Sequence, residues 1–165
     1  MKRLNTHLTA LFAGLALTLG AASSHATQPL LSPAELQAKL PQVRVIDIRD
    51  PKAYATGHIP GAVNAPYGQW RGPATNPGEL PGLPKLAALV QSLGLTPATH
   101  AVVVSSGADA TDFGASARVY WTLKVGGLTR LSILDGGTKA WQGAGGTLET
   151  AAPQVARRPA PHPWP

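Results

Sequence analysis

Ser105-Ser106-Gly107-Ala108-Asp109-Ala110-Thr111-Asp112 is the stretch best placed for chemistry. The apolar, β-branched run Ala101-Val102-Val103-Val104 delivers the chain to the two serines. Helical spacing begins at Phe113, puts Phe113, Ala117, Tyr120, Trp121 and Val125 toward one side, and stops at Gly126-Gly127. A buried strand feeding a loop that opens onto a helix N-terminus aims several backbone N–H groups at one point. That arrangement favours an anion or an anionic nucleophile. The N–H groups of Ser106, Gly107, Ala108, Asp109, Ala110 and Thr111 are therefore the candidate anion-binding loop. The nucleophile on offer is a serine, since the chain has no cysteine. An activated serine needs a base within hydrogen-bond reach and a group to orient that base. His58 and His100 are the candidates, but His58 sits in a Gly-His-Ile-Pro-Gly turn and His100 starts the strand whose other end holds Ser106. Ser105 and Ser106 are accordingly expected to hydrogen-bond loop backbone.

Other polar residues read as structural. Asp47 lies inside a hydrophobic strand, where an unpaired carboxylate would be costly, so a partner is required. Arg49, another arginine or turn N–H groups are the options. Asp135, in Asp135-Gly136-Gly137, reads as a turn acceptor. Arg118, on the helix after the loop, could reach an anion or a second domain, or take a surface or structural role. Trp70 and Arg71, in a Gly/Pro/Asn-rich stretch, are candidates for partner contact, as is Trp164; Trp121 and Trp141 are expected in the core. His58, His100 and His162 lack ligand spacing, so no metal is expected, and nothing implies another cofactor.

The elements that must position these residues follow from local signals. Ser32-Pro33-Ala34-Glu35 is a helix start with a capping box, Leu36 and Leu40 form its buried side, and Pro41 ends it. Val43 to Ile48 is a strand, with Val43, Val45 and Asp47 on one face and Arg44, Ile46 and Ile48 on the other. Asp50-Pro51 starts a short helix that Gly57 stops. Ala62-Val63-Asn64 is a short strand, and 66–81 a surface excursion pinned by Trp70. Pro84 to Leu93 is a helix with Leu86, Leu89, Val90 and Leu93 inward. Arg130 to Leu134 is a strand, and Thr138 to Gln142 a helix burying Trp141. Alternating helices and short apolar strands predict an α/β domain, a mainly parallel sheet covered on both faces. In such sheets ligands bind beyond the carboxyl ends of the strands, which points again at Ser105 to Asp112.

The chain has 165 residues, enough for one domain. Met1-Lys2-Arg3, an apolar run from Leu8 to Ala22 and Ser24-His25-Ala26 form the three parts of a secretory signal peptide. The run is shorter than the ~20 residues of a membrane span. The expected organisation is a leader over 1–26, a domain over 27–150 and a Pro-rich linker or tail over 151–165, in a periplasmic or secreted protein with no membrane contact after cleavage. Without the leader, Lys and Arg fall from 14 to 12 against 8 Asp and Glu, so the formal charge drops from +6 to +4. The basic residues are scattered and do not interleave with aromatics, which argues against nucleic-acid binding.

Three segments together resemble the rhodanese, or thiosulfate sulfurtransferase, family. The first is Val45-Ile46-Asp47-Ile48-Arg49-Asp50-Pro51 with Tyr54, Gly57-His58-Ile59-Pro60-Gly61-Ala62 and Asn64. The second is the central strand–loop–helix with Ala117-Arg118-Val119-Tyr120-Trp121. The third is Leu134-Asp135-Gly136-Gly137 with Trp141. The resemblance implies a rhodanese-like three-layer domain. Its wording is most similar to the non-catalytic N-terminal half of two-domain sulfurtransferases, in which the following domain carries the persulfide-forming cysteine. Ser106, or Ser105 if the loop is counted one residue earlier, stands at that cysteine's position. Asp47, Arg49, His58, Asp135 and Trp141 then read as the family's structural motif, and Trp70, Arg71 and Arg118 as a possible interface.

Chemistry and resemblance agree on what is missing. Sulfur transfer through a persulfide needs a thiolate, which a cysteine of pKa ~8.5 supplies once a helix N-terminus lowers it. A serine hydroxyl does not ionise comparably, and Asp109 and Asp112 add negative charge where an anionic donor would approach. The expectation is an exported, non-catalytic structural or binding half of a sulfurtransferase. The alternatives are an anion-binding sensor or carrier, and a transferase active only with a Cys-bearing rhodanese domain, in cis beyond residue 165 or in trans. The expected small ligands are sulfur-containing or other anions.

Overall fold

The computed structural model describes residues 27–155. The expected leader and residues 156–165, with His162 and Trp164, lie outside them. The strands are β1 (Leu30–Leu31), β2 (Arg44–Asp47), β3 (Val63–Asn64), β4 (Ala101–Val104) and β5 (Leu131–Leu134). The helices are α1 (Pro33–Lys39), α2 (Pro51–Thr56), α3 (Leu83–Ser92), α4 (Ala110–Val125) and α5 (Gly137–Gly143). The strands form one sheet in the order β1-β5-β4-β2-β3, and every pairing is parallel. The α/β class and the covered parallel sheet are as the sequence predicts. Its edge strand β1 is an addition to the elements predicted from the sequence: Leu30 and Leu31 pair with Ile133 and Leu134.

Alternation along the strands builds two cores. Ile46, Ile48, Ala101, Val103, Leu131 and Ile133 face α3, α4 and Trp70. Val45, Val102, Val104 and Leu134 face α1, α2 and α5 through Leu36, Tyr54 and Trp141. Every residue of β4 is buried because both its faces are covered. The helix starts obey the local rules. Ser32 accepts from the Glu35 N–H while Glu35 accepts from the Ser32 N–H, closing the capping box. Asp50 accepts from the N–H groups of Lys52 and Ala53.

Three tryptophans settle the expectations about burial. Trp141 is in the core, as predicted, and donates its indole N–H to Thr147 O. Trp70 is not an interface residue: at 0 % exposure it fills the core beside Ala65, whose carbonyl takes its indole N–H. Trp121 is not core: it is 47 % exposed, as Phe113 and Val125 nearly are. The helix turns Ser116, Val119, Thr122 and Leu123 inward instead. Apolar residues occupy more than one side of α4, so its spacing does not reveal which side meets the sheet.

Candidate functional site

The chain leaves β2 toward α2 and β4 toward α4, and these helices pack on opposite faces of the sheet. Adjacent parallel strands whose connections diverge open a crevice beyond their carboxyl ends. Here it measures about 640 Å3. Ile48, Arg49, Asp50 and Ala53 line it from the β2 side. Ser105, Ser106, Thr111, Asp112, Gly114 and Ala115 line it from the β4 side, and Tyr67 and Arg71 close it.

The β4 loop is shorter than the sequence suggests, because α4 begins at Ala110 rather than Phe113. Ala110 and Thr111 belong to its first turn. Asp109 is the N-cap and accepts from the N–H groups of Thr111 and Asp112 at 2.8 and 3.1 Å. Asp112 reaches back across the loop. Its Oδ2 accepts from the Ala108 N–H at 2.9 Å and from the Ser106 hydroxyl. Two of the donors expected to greet an external anion, the Ala108 and Thr111 N–H groups, are thus held by the chain's own carboxylates. An acid three residues after an acidic cap was the available signal, a variant of the capping box.

That bond also determines what Ser106 can do. The Ser106 hydroxyl and then the Ala108 N–H stabilise the Asp112 carboxylate, and together with the Gly107 N–H they outweigh burial to hold it below the usual range. A carboxylate so stabilised is a weak base and does not activate a hydroxyl. Neither histidine is placed to do so. His58 is stacked on Tyr54 at 3.8 Å, with Nδ1 3.0 Å from Tyr54 O. His100 is buried at the far end of β4, with Nε2 2.9 Å from Ser132 Oγ.

The loop is clamped from behind by the first turn of α5. Ser105 O accepts from the Thr138 N–H and hydroxyl at 2.9 and 3.0 Å, and Ser106 O from the Lys139 N–H at 3.0 Å. These bonds require very close backbone approach. A Cβ on Gly107, whose φ is +79°, would lie 1.9 Å from Gly136 O. Asp135 contributes less than expected: its side chain is exposed, and the turn is tied to β1 by its N–H donating to Leu31 O at 2.9 Å.

On the β2 side, Asp47 is 1 % exposed and takes two oxygens' worth of bonds from Arg49, the shortest 2.6 Å from Nη2. Arg49 Nη2 also donates to Gly57 O, tying β2 to the end of α2. This meets the partner requirement and leaves the Arg49 charge matched. Arg71 stacks over Tyr67 at 5.4 Å and donates its Nε to Pro77 O. Arg118 is turned away from the crevice lining: it donates to Gly78 O and Glu79 O and lies over Trp121. It therefore pins the 66–81 excursion, at Gly78 and Glu79, to α4. Tyr67 went unnoticed in the sequence because nothing local marks it. Among the described residues, no three His, Cys, Asp or Glu side chains come together in a metal-binding group.

Residues 32–144 match the rhodanese-like domain family. The thiosulfate sulfurtransferase of Pseudomonas aeruginosa is 34% identical over 137 residues, covering 80% of this chain and 48% of that protein. That of Azotobacter vinelandii is 35% identical over 138 residues, covering 81% and 49%. Among solved structures, a 3-mercaptopyruvate sulfotransferase from Escherichia coli superposes with a TM-score of 0.66 at 26% identity, covering 79% of this chain and 53% of that one. The chain spans between 41% and 49% of the curated relatives it matches. The all-parallel sheet, the clamped loop beyond β4 and this match over 32–144 lead to one conclusion: the chain belongs to the rhodanese-like family.

Proposed function

We propose that this chain is an exported, non-catalytic rhodanese-like half of a sulfurtransferase, most similar to the N-terminal one, and that it works beside a domain that carries the cysteine. One observation carries the reading. At the loop position where the family's chemistry calls for a thiolate, Ser106 donates its hydroxyl to Asp112. An oxygen there does not hold a sulfane sulfur, and the neighbouring carboxylate opposes an approaching dianion. The match to about half the length of sulfurtransferase relatives supports a supporting role. Export rests on the leader pattern in residues 1–26.

The test is a thiocyanate assay with thiosulfate and cyanide on the purified mature chain. The expected rate equals the buffer blank, and rises only when a cysteine-bearing rhodanese domain is added. Turnover by this chain alone would overturn the reading.

A further inference from the structure

Four charged side chains line the crevice beyond β2 and β4: Arg49, Asp50, Arg71 and Asp112. Arg49 is neutralised by Asp47. What remains is one cation on the Tyr67–Arg71 side, with two carboxylates on the helix starts of α2 and α4. The local balance is therefore one negative charge, unsuited to a small dianion and matched to a molecule carrying both signs. Asp50 binds its helix N–H groups through Oδ1 and Asp112 binds the loop through Oδ2. A carboxylate has about four acceptor sites, so each retains capacity for a further donor. Ile48, Ala53 and Ala115 add an apolar lining. The crevice volume of about 640 Å3 suits a small organic ligand.

We infer that the crevice binds a small zwitterion of amino-acid to dipeptide size, its carboxylate on Arg71 and its ammonium on the Asp50–Asp112 side. This rests on the reading of the crevice as a binding site without chemistry. It names a ligand class selected by the charged side chains of the crevice rather than by the loop N–H groups, of which Ala108 and Thr111 already serve carboxylates. The Ser106 hydroxyl and then the loop N–H groups favour the charged form of Asp112, holding its carboxyl below the usual range. Arg71 is held in place by its stack on Tyr67 and its bond to Pro77 O, which limits the ordering cost of gripping a carboxylate.

Titration calorimetry with amide NMR shifts tests this, using L-alanyl-L-alanine, its C-terminal amide, its N-acetyl derivative and thiosulfate. The free dipeptide is expected to shift amides in 67–71 and 105–115. Blocking either end should weaken binding at least roughly tenfold, as loss of a charge-assisted contact does. Arg71→Gln should weaken the free dipeptide to the level of its amide, and leave the amide's own affinity unchanged. No heat and no shift with the dipeptide, equal binding of the blocked forms, or tighter binding of thiosulfate would overturn the inference. Those results leave the non-catalytic reading standing, whereas thiocyanate formation by the chain alone removes that reading first.

Discussion

Ser106 and Asp112 form the pair on which the chemistry turns. Replacing the hydroxyl by a thiol does not by itself restore a nucleophile. In Ser106→Cys the thiol would inherit the Asp112 carboxylate as its nearest charge, and a like charge raises a thiol's pKa. We expect its ionisation, followed by thiolate absorbance, above the free value of about 8.5. In Ser106→Cys with Asp112→Ala the loop N–H groups are released to the sulfur, and the pKa is expected below that value. Mass spectrometry after thiosulfate treatment should then show an added sulfur on the double variant and none on the single one. Equal thiol pKa values in the two variants would mean that Asp112 does not govern this position.

The loop–turn contact belongs to the scale of elements. The β4 loop and the α5 turn touch backbone to backbone, and glycine is required on both sides. Gly107→Ala would place its Cβ against Gly136 O while also forcing a side chain into left-handed backbone. We expect a loss of stability by urea unfolding of more than about 1 kcal/mol, the ordinary scale for a glycine whose φ suits its replacement badly. Gly114→Ala is the control. It lies in α4 with nothing within 4 Å of its would-be Cβ, so it should unfold no earlier than the parent. A Gly107→Ala protein as stable as the parent would show that the clamp relaxes.

For the whole molecule, one buried group sets a pH dependence. Ser132 gives its hydroxyl hydrogen to Gln28 O, so His100 Nε2 must carry a hydrogen and donate to Ser132 Oγ. This chain of bonds ties the residues before β1 to β5 and to the start of β4. Burial first, then the Arg130 and Lys39 charges, lower the His100 pKa. A lowered histidine pKa means that the unfolded chain binds the proton more readily than the folded one. The contribution is complete above the unfolded value near 6.5 and is lost as pH falls below it toward the folded pKa. Urea midpoints should therefore decline as pH drops below about 6.5, and His100→Gln should flatten that decline. An unchanged slope in the variant would assign the effect elsewhere.

The local parts of this fold were legible because their causes are local. Ser32 and Asp50 cap the helices they precede, and the alternation in Val45, Ile46, Asp47 and Ile48 splits two cores. Asp47 needed a partner wherever the strand went, and Arg49 two residues on could supply it. The absence of cysteine is likewise a property of the sequence alone. Tertiary structure decided what depends on direction and distance between segments. Trp70 is buried and Trp121 exposed because the sheet lies on only one side of each, a side their own neighbours do not specify. The fate of the loop donors depended on whether Asp112 folds back, which follows from where α4 begins. The opposed charges of the crevice came together only once α2 and α4 left the sheet on opposite faces, a consequence of strand order that no spacing along the chain encodes.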